Sequence, residues 1–242
     1  MRSSGLAGWG RPVAAEFVGT AFLVAAVIGS GVAAQRLSPG DVGLQLLENS
    51  FATGAALVAI IYAIGPVSGA HLNPAVTIVD WLCGGVSWSV GLLYCAAQLV
   101  GGAAGALAAN LMFGLPAVQL SGKPRWGAGL WFAEAVATFG LVLVIFSVVR
   151  ARRASVAPLV VGAYIAAAYW FTSSTSFANP AVTLARTLSN TFAGIAPGSV
   201  LPFVAAQLIG ALLAIGAVRF LHPNVAEVAD QVVVPREAEA PS

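Results

Sequence analysis

Charge is scarce in this chain. Of its 242 residues only 8% are charged, where an ordinary soluble domain carries about 25%. With 59% hydrophobic residues, a body of this size has too little interior to hide its apolar surface from water, so the solvent must be lipid. The net charge of +2 is small and scattered, which excludes a nucleic-acid partner. Cysteine is almost absent. Cys83 and Cys95 make no disulfide framework, and both fall among small or apolar residues, where buried, reduced and inert thiols are expected. The two histidines, His71 and His222, lie far apart. With no nucleophile–base pair, phosphate loop or metal-ligand cluster, no metal site and no cofactor are expected, and an enzyme is the least favoured class.

What the chain does contain is apolar length. Six stretches are long enough to cross a bilayer at roughly 20 residues each: 12–34, 46–66, 87–111, 127–149, 156–173 and 199–221. The first is too long for the h-region of a cleavable signal peptide and reads as a true span. Two shorter apolar pieces, 74–84 and 180–190, each open with proline. Proline suits the first turn of a helix, where its missing N–H would have no partner. Such short segments suggest half-helices entered by re-entrant loops. Abundant glycine, 27 residues, fits closely approaching membrane helices.

Basic residues in the loops set the expected orientation. Arg2, Arg11, Arg150, Arg152, Arg153, Arg219 and Arg236 fall on one side, and Arg36, Lys123, Arg125 and Arg186 on the other. This bias places both termini in the cytoplasm and the chain in the plasma (inner) membrane as a multi-pass protein. Residues 222–242 read as a polar, frayed tail.

The halves repeat one another. Ala15-Glu16 opens the first span and Ala133-Glu134 the fourth. Asn73-Pro74-Ala75-Val76-Thr77 recurs as Asn179-Pro180-Ala181-Val182-Thr183, and Ala97-Gln98-Leu99 as Ala206-Gln207-Leu208. Each copy (12–111 and 127–221, in one channel domain covering 1–242) holds three spans, so the second lies upside down relative to the first. Inverted repeats bring broken helices together at the bilayer midplane. A duplicated bundle without a pore is the plainer alternative. It leaves the paired turns unexplained, since irregular polar backbone survives at depth only when buried or lining a cavity.

The paired Asn-Pro-Ala motifs, the six spans and the Glu and Gln placement resemble the aquaporin (major intrinsic protein) family from about Val13 to Leu221. The resemblance implies an all-α bundle of six transmembrane helices and two re-entrant half-helices, assembled as a homotetramer in the lipid bilayer. Pro74 and Pro180 would start half-helices whose positive N-termini meet head to head. Asn73 and Asn179 would donate hydrogen bonds into the pore, turning a passing water so that no proton wire forms, while the field repels cations. As ordinary N-caps, the same asparagines would satisfy their helix ends; the two roles coexist. Glu16 and Glu134 read either as a proton relay or as acceptors for the N–H groups of re-entrant loops; the family favours the second. His71 would line the cytoplasmic vestibule or serve as a satisfied, non-gating side chain.

Counting from each Asn, the family's filter ring falls on Thr53, Ala167, Ser176 and Val182. Water and glycerol channels of the family carry Arg where this chain has Val182, and the glycerol-type Asp is replaced by Thr183. A ring of Thr, Ala, Ser and Val is wider and less polar, and it lacks the fixed guanidinium. Small uncharged solutes are therefore expected: water, glycerol, and metalloid hydroxides such as arsenous acid. Arg186, one turn beyond Val182, would snorkel to the headgroups or replace the missing charge in part. A non-conducting adhesion protein on the same fold and a proton-coupled transporter are the alternatives.

Overall fold

The computed structural model describes residues 6–150 and 153–221. Its helices are α1 (Gly10–Leu37), α2 (Val42–Ser68), α3 (Pro74–Cys83), α4 (Trp88–Met112), α5 (Ala128–Arg150), α6 (Ala157–Phe171), α7 (Pro180–Ala185) and α8 (Val200–Leu221). Of the expected spans, α1, α2, α4, α5 and α8 are long and apolar enough to cross a membrane. The span expected over 156–173 is shorter: α6 has 15 residues, about 22 Å of helix, and follows a 3₁₀ turn at Ala154–Val156. The second half-helix is also shorter than 180–190, because α7 tightens into a 3₁₀ turn at Arg186–Leu188. The expected tail, 222–242, with His222 and Arg236, lies outside the described residues, as do Arg2 and Arg152.

Local chemistry explains the boundaries. Asp41 caps α2 through its carboxylate, which accepts from the Leu44 N–H at 2.9 Å. Ser87 opens α4 in the same way with Val90. Gly69 and Gly84 close α2 and α3 in the left-handed conformation, at φ 87° and 89°, which glycine adopts without a Cβ penalty.

Packing follows the repeat. In the first half α1 packs on α4 and α2, and in the second α5 packs on α8 and α6. The halves join through α2 against α6, α4 against α7, and α3 against α8. The crossings depend on glycine. A Cβ on Gly101 would collide with the Phe17 carbonyl oxygen, and one on Gly210 with that of Ala135. Gly101 lies three residues after Gln98 and Gly210 three after Gln207, while Phe17 and Ala135 each follow the repeat's glutamate. The same close approach is thus built twice, as membrane helices pack where small residues let backbones meet. The thiols of Cys83 and Cys95 are free, and both residues are half-buried rather than buried.

Candidate functional site

The half-helices α3 and α7 touch, each opened by its asparagine. Asn73 and Asn179 have nearly identical extended backbones, φ −156° in both. The Asn73 side-chain oxygen accepts from the Ala75 N–H at 2.9 Å. That of Asn179 accepts from Ala181 and Val182 at 2.9 and 3.2 Å. The amide nitrogens then reach across: Asn73 Nδ2 donates to Ala178 O and Asn179 Nδ2 to Leu72 O, both at 2.7 Å. Each primary amide carries two N–H bonds, so one remains beyond the cross-tie. Both asparagines line the central cavity.

The loops that deliver these asparagines are strained alike. Ala70 and Leu72 before α3, and Ser176 and Ala178 before α7, all have positive φ between 47° and 54°. A left-handed residue other than glycine costs about 1–2 kcal/mol, so the loops need anchors. Glu16 accepts from the N–H groups of His71 and Leu72 at 2.9 and 2.7 Å, from Ser68 Oγ at 2.7 Å and from Gln98 Nε2 at 2.8 Å. Glu134 accepts from the N–H groups of Phe177 and Ala178, both at 2.9 Å, and from Gln207 Nε2 at 2.6 Å. Gln98 also reaches Thr77 Oγ1, and Gln207 reaches Thr183 Oγ1. Each carboxylate therefore ties a span, a loop and a half-helix into one buried network. Both glutamates are fully buried.

A single cavity runs past both asparagines. His71 lines it toward α3, where its Nδ1 lies 3.0 Å from Thr77 Oγ1 and its Nε2 3.5 Å from Asp80 Oδ2. Toward α7 the wall holds Thr53, Ile165, Tyr169, Ser176, Val182 and Arg186. Thr53, Ser176 and Val182 therefore face the cavity together, but Ala167 does not. It is exposed on the outer face of α6, while Ile165 and Tyr169, two residues to either side, point inward. Two residues turn a helix by about 200°, so an offset of two reverses the face. The Tyr169 hydroxyl lies 3.2 Å from that of Thr53, and Ser176 Oγ is buried with no hydrogen-bond partner among the described residues.

Arg186 does not snorkel. It is 2% exposed, its Nε donates to Ala193 O, and its guanidinium carbon lies 3.4 Å from the Phe177 ring centroid. The chain turning back after α7 supplies that carbonyl. The connection between α4 and α5 lies against the same segment, with Gln119 and Ser121 N–H groups donating to Leu188 and Thr187 carbonyls. It brings Arg125 to the other contact on Phe177, at 4.8 Å, with Nε donating to Gly194 O. Lys123 Nζ donates to Phe192 O. Desolvation first, then the nearby Arg125 and Arg186 charges, push the Lys123 pKa down to about 8. Tyr169, Phe177, Arg125 and Asp80 are the residues that sequence reasoning missed. The signal for Asp80 was present: it occupies the place of Arg186 in the other copy.

Comparison with known proteins agrees with this architecture. Residues 6–178 match the Major intrinsic protein (MIP) family. The chain is 50% identical over 211 residues to the aquaglyceroporin AqpS of Rhizobium meliloti, covering 87% of this chain and 90% of that one. It is 33% identical over 229 residues to the aquaporin AqpM of Methanothermobacter thermautotrophicus, covering 83% and 92%. The aquaglyceroporin structure from Plasmodium falciparum superposes with a TM-score of 0.67 at 23% identity, covering 90% of this chain and 98% of that one, which speaks for the fold. With half-helices cross-tied at their asparagines and a relative matching nearly end to end, this chain belongs to the major intrinsic protein family.

Proposed function

We propose that this chain is a passive transmembrane channel for small uncharged solutes, with water and glycerol among them and arsenous acid a further candidate. One observation carries the reading: the two asparagine amides, each with an N–H beyond its cross-tie, stand on a single cavity at the meeting of two helix N-termini. A water or hydroxyl oxygen there accepts from both amides and turns its own hydrogens away, while the helix ends disfavour cations. Toward α7 the wall pairs hydroxyls (Thr53, Tyr169, Ser176) with apolar surface (Ile165, Val182), which suits a solute with hydroxyls on one face. A neutral metalloid hydroxide has that character.

The bonds on Glu16 and Glu134 favour a structural role over a proton relay, because both oxygens of each already accept from loop N–H groups. We place the termini in the cytoplasm and the α7 mouth outside, in the plasma membrane, following the loop charges. We further infer a homotetramer with one pore per subunit, by likeness to the family. Stopped-flow swelling of proteoliposomes tests the channel reading. Water, glycerol and arsenous acid entering no faster than into empty vesicles would remove it.

A further inference from the structure

We propose that Arg186 sets the cation selectivity of the α7 mouth, acting one helical turn outward of the neutral residue that follows the second Asn-Pro-Ala. The assignment rests on the cavity being the solute path. The position directly after the motif holds Val182, which offers no charge. Arg186 is buried and still lines the cavity. Its Nε is spent on Ala193 O, and one face of its guanidinium lies on Phe177. These contacts fix the plane of the group, as a stacked guanidinium requires. Its terminal nitrogens have no protein hydrogen-bond partner among the described residues, and no carboxylate there pairs with it.

Neighbouring cations do not take this place. Arg125 shares the Phe177 ring but is tied to Gly194 O and Ser174 O, and it does not line the cavity. Lys123 sits on the surface, bonded to Phe192 O. At the other end of the cavity the equivalent residue, Asp80, stands off the path. A cation entering from the α7 side would meet a full unit charge before the half charges of the helix ends. A neutral hydroxylated solute would meet guanidinium N–H donors beside the unpartnered Ser176 hydroxyl. Because the charge sits one turn outward, the ring at Val182 carries no side-chain charge of its own. Width and cation exclusion are then set by different residues.

Potassium entry and glycerol swelling, measured on the same proteoliposomes, test this. Arg186→Gln should raise potassium entry relative to glycerol entry about tenfold, the weight of a unit charge several ångströms from the path at a dielectric between those of protein and water. Arg186→Lys should remain tight to potassium. Arg186→Met keeps an aliphatic stem over Phe177 and serves where the Gln variant does not fold. Wild-type tightness to potassium in a Gln or Met variant that conducts glycerol would overturn the assignment and leave the barrier to the midplane. Absence of glycerol flux from the wild-type protein would instead remove the channel reading itself.

Discussion

Asp80 and Arg186 occupy the same place in the two halves of the molecule, seven residues beyond Asn73 and Asn179 respectively. Their partners correspond as well. His71, two residues before Asn73, lies 3.5 Å from the Asp80 carboxylate; Phe177, two residues before Asn179, carries the Arg186 guanidinium at 3.4 Å. One backbone scaffold thus holds a histidine–carboxylate contact at one mouth and a cation on an aromatic ring at the other. The repeat keeps one framework of loop and half-helix bonds in both halves and differs in chemistry at this pair of positions.

The anchoring carboxylates lead to a first prediction. Glu134→Ala leaves the N–H groups of Phe177 and Ala178 without their acceptor and should cost about 2–5 kcal/mol of stability. Glu134→Gln keeps one carbonyl oxygen and should cost less. Thermal unfolding in detergent reads the order. An alanine variant melting with the wild type would refute the anchor role.

Width at the α7 mouth can be tested at Val182. Val182→Arg adds volume and charge to the cavity wall and should cut glycerol permeability about tenfold, the scale on which a pocket senses added side-chain bulk. Water permeability should persist. Equal loss of both solutes in stopped-flow assays would mean that the side chain blocks the path rather than filtering it.

The register of α6 yields a sharp pair. Ala167→Phe, on the outer face, should leave solute flux unchanged, whereas Ile165→Phe should depress it. The opposite result would return Ala167 to the pore.

Lys123 gives a prediction in pH. Its amine, pushed down to about 8, should be roughly half neutral at pH 8, where an ordinary lysine is almost wholly charged. Labelling by an amine-reactive reagent, followed by mass spectrometry, should rise through pH 8 at this site. The folded value lies below the unfolded one, so the folded state binds fewer protons between them. The charged amine's cost to folding is therefore fully present below pH 8 and fades toward pH 10.5. A labelling midpoint near 10.5 would contradict the environment described for Lys123.

Much of this was legible in the letters. The duplicated Asn-Pro-Ala run, the paired glutamates and the paired glutamines each recur at matching places, and the bonds joining them repeat in the fold. The face of α6 was not legible. That helix is apolar all round, so hydropathy offers no phase, and counting along the chain from Asn179 lands on the wrong side. The buried position of Arg186 was hidden for a different reason. It depends on the Ala193 carbonyl, delivered by a turn whose path no periodicity encodes. Asp80 lies in the short segment 74–84 rather than in a full span, where an acidic residue carries no sign of its depth.

The reciprocal bonds of Asn73 and Asn179 have a consequence for biogenesis. Each asparagine satisfies a carbonyl that the other copy presents, so neither half can finish its own loop alone. The first three spans must wait in the bilayer with the Leu72 carbonyl unmet until the last third of the chain emerges from the ribosome. Assembly of the conduit is therefore a single late event, closed like a clasp from both ends. A chain cut between its halves should regain function only when both fragments share one membrane.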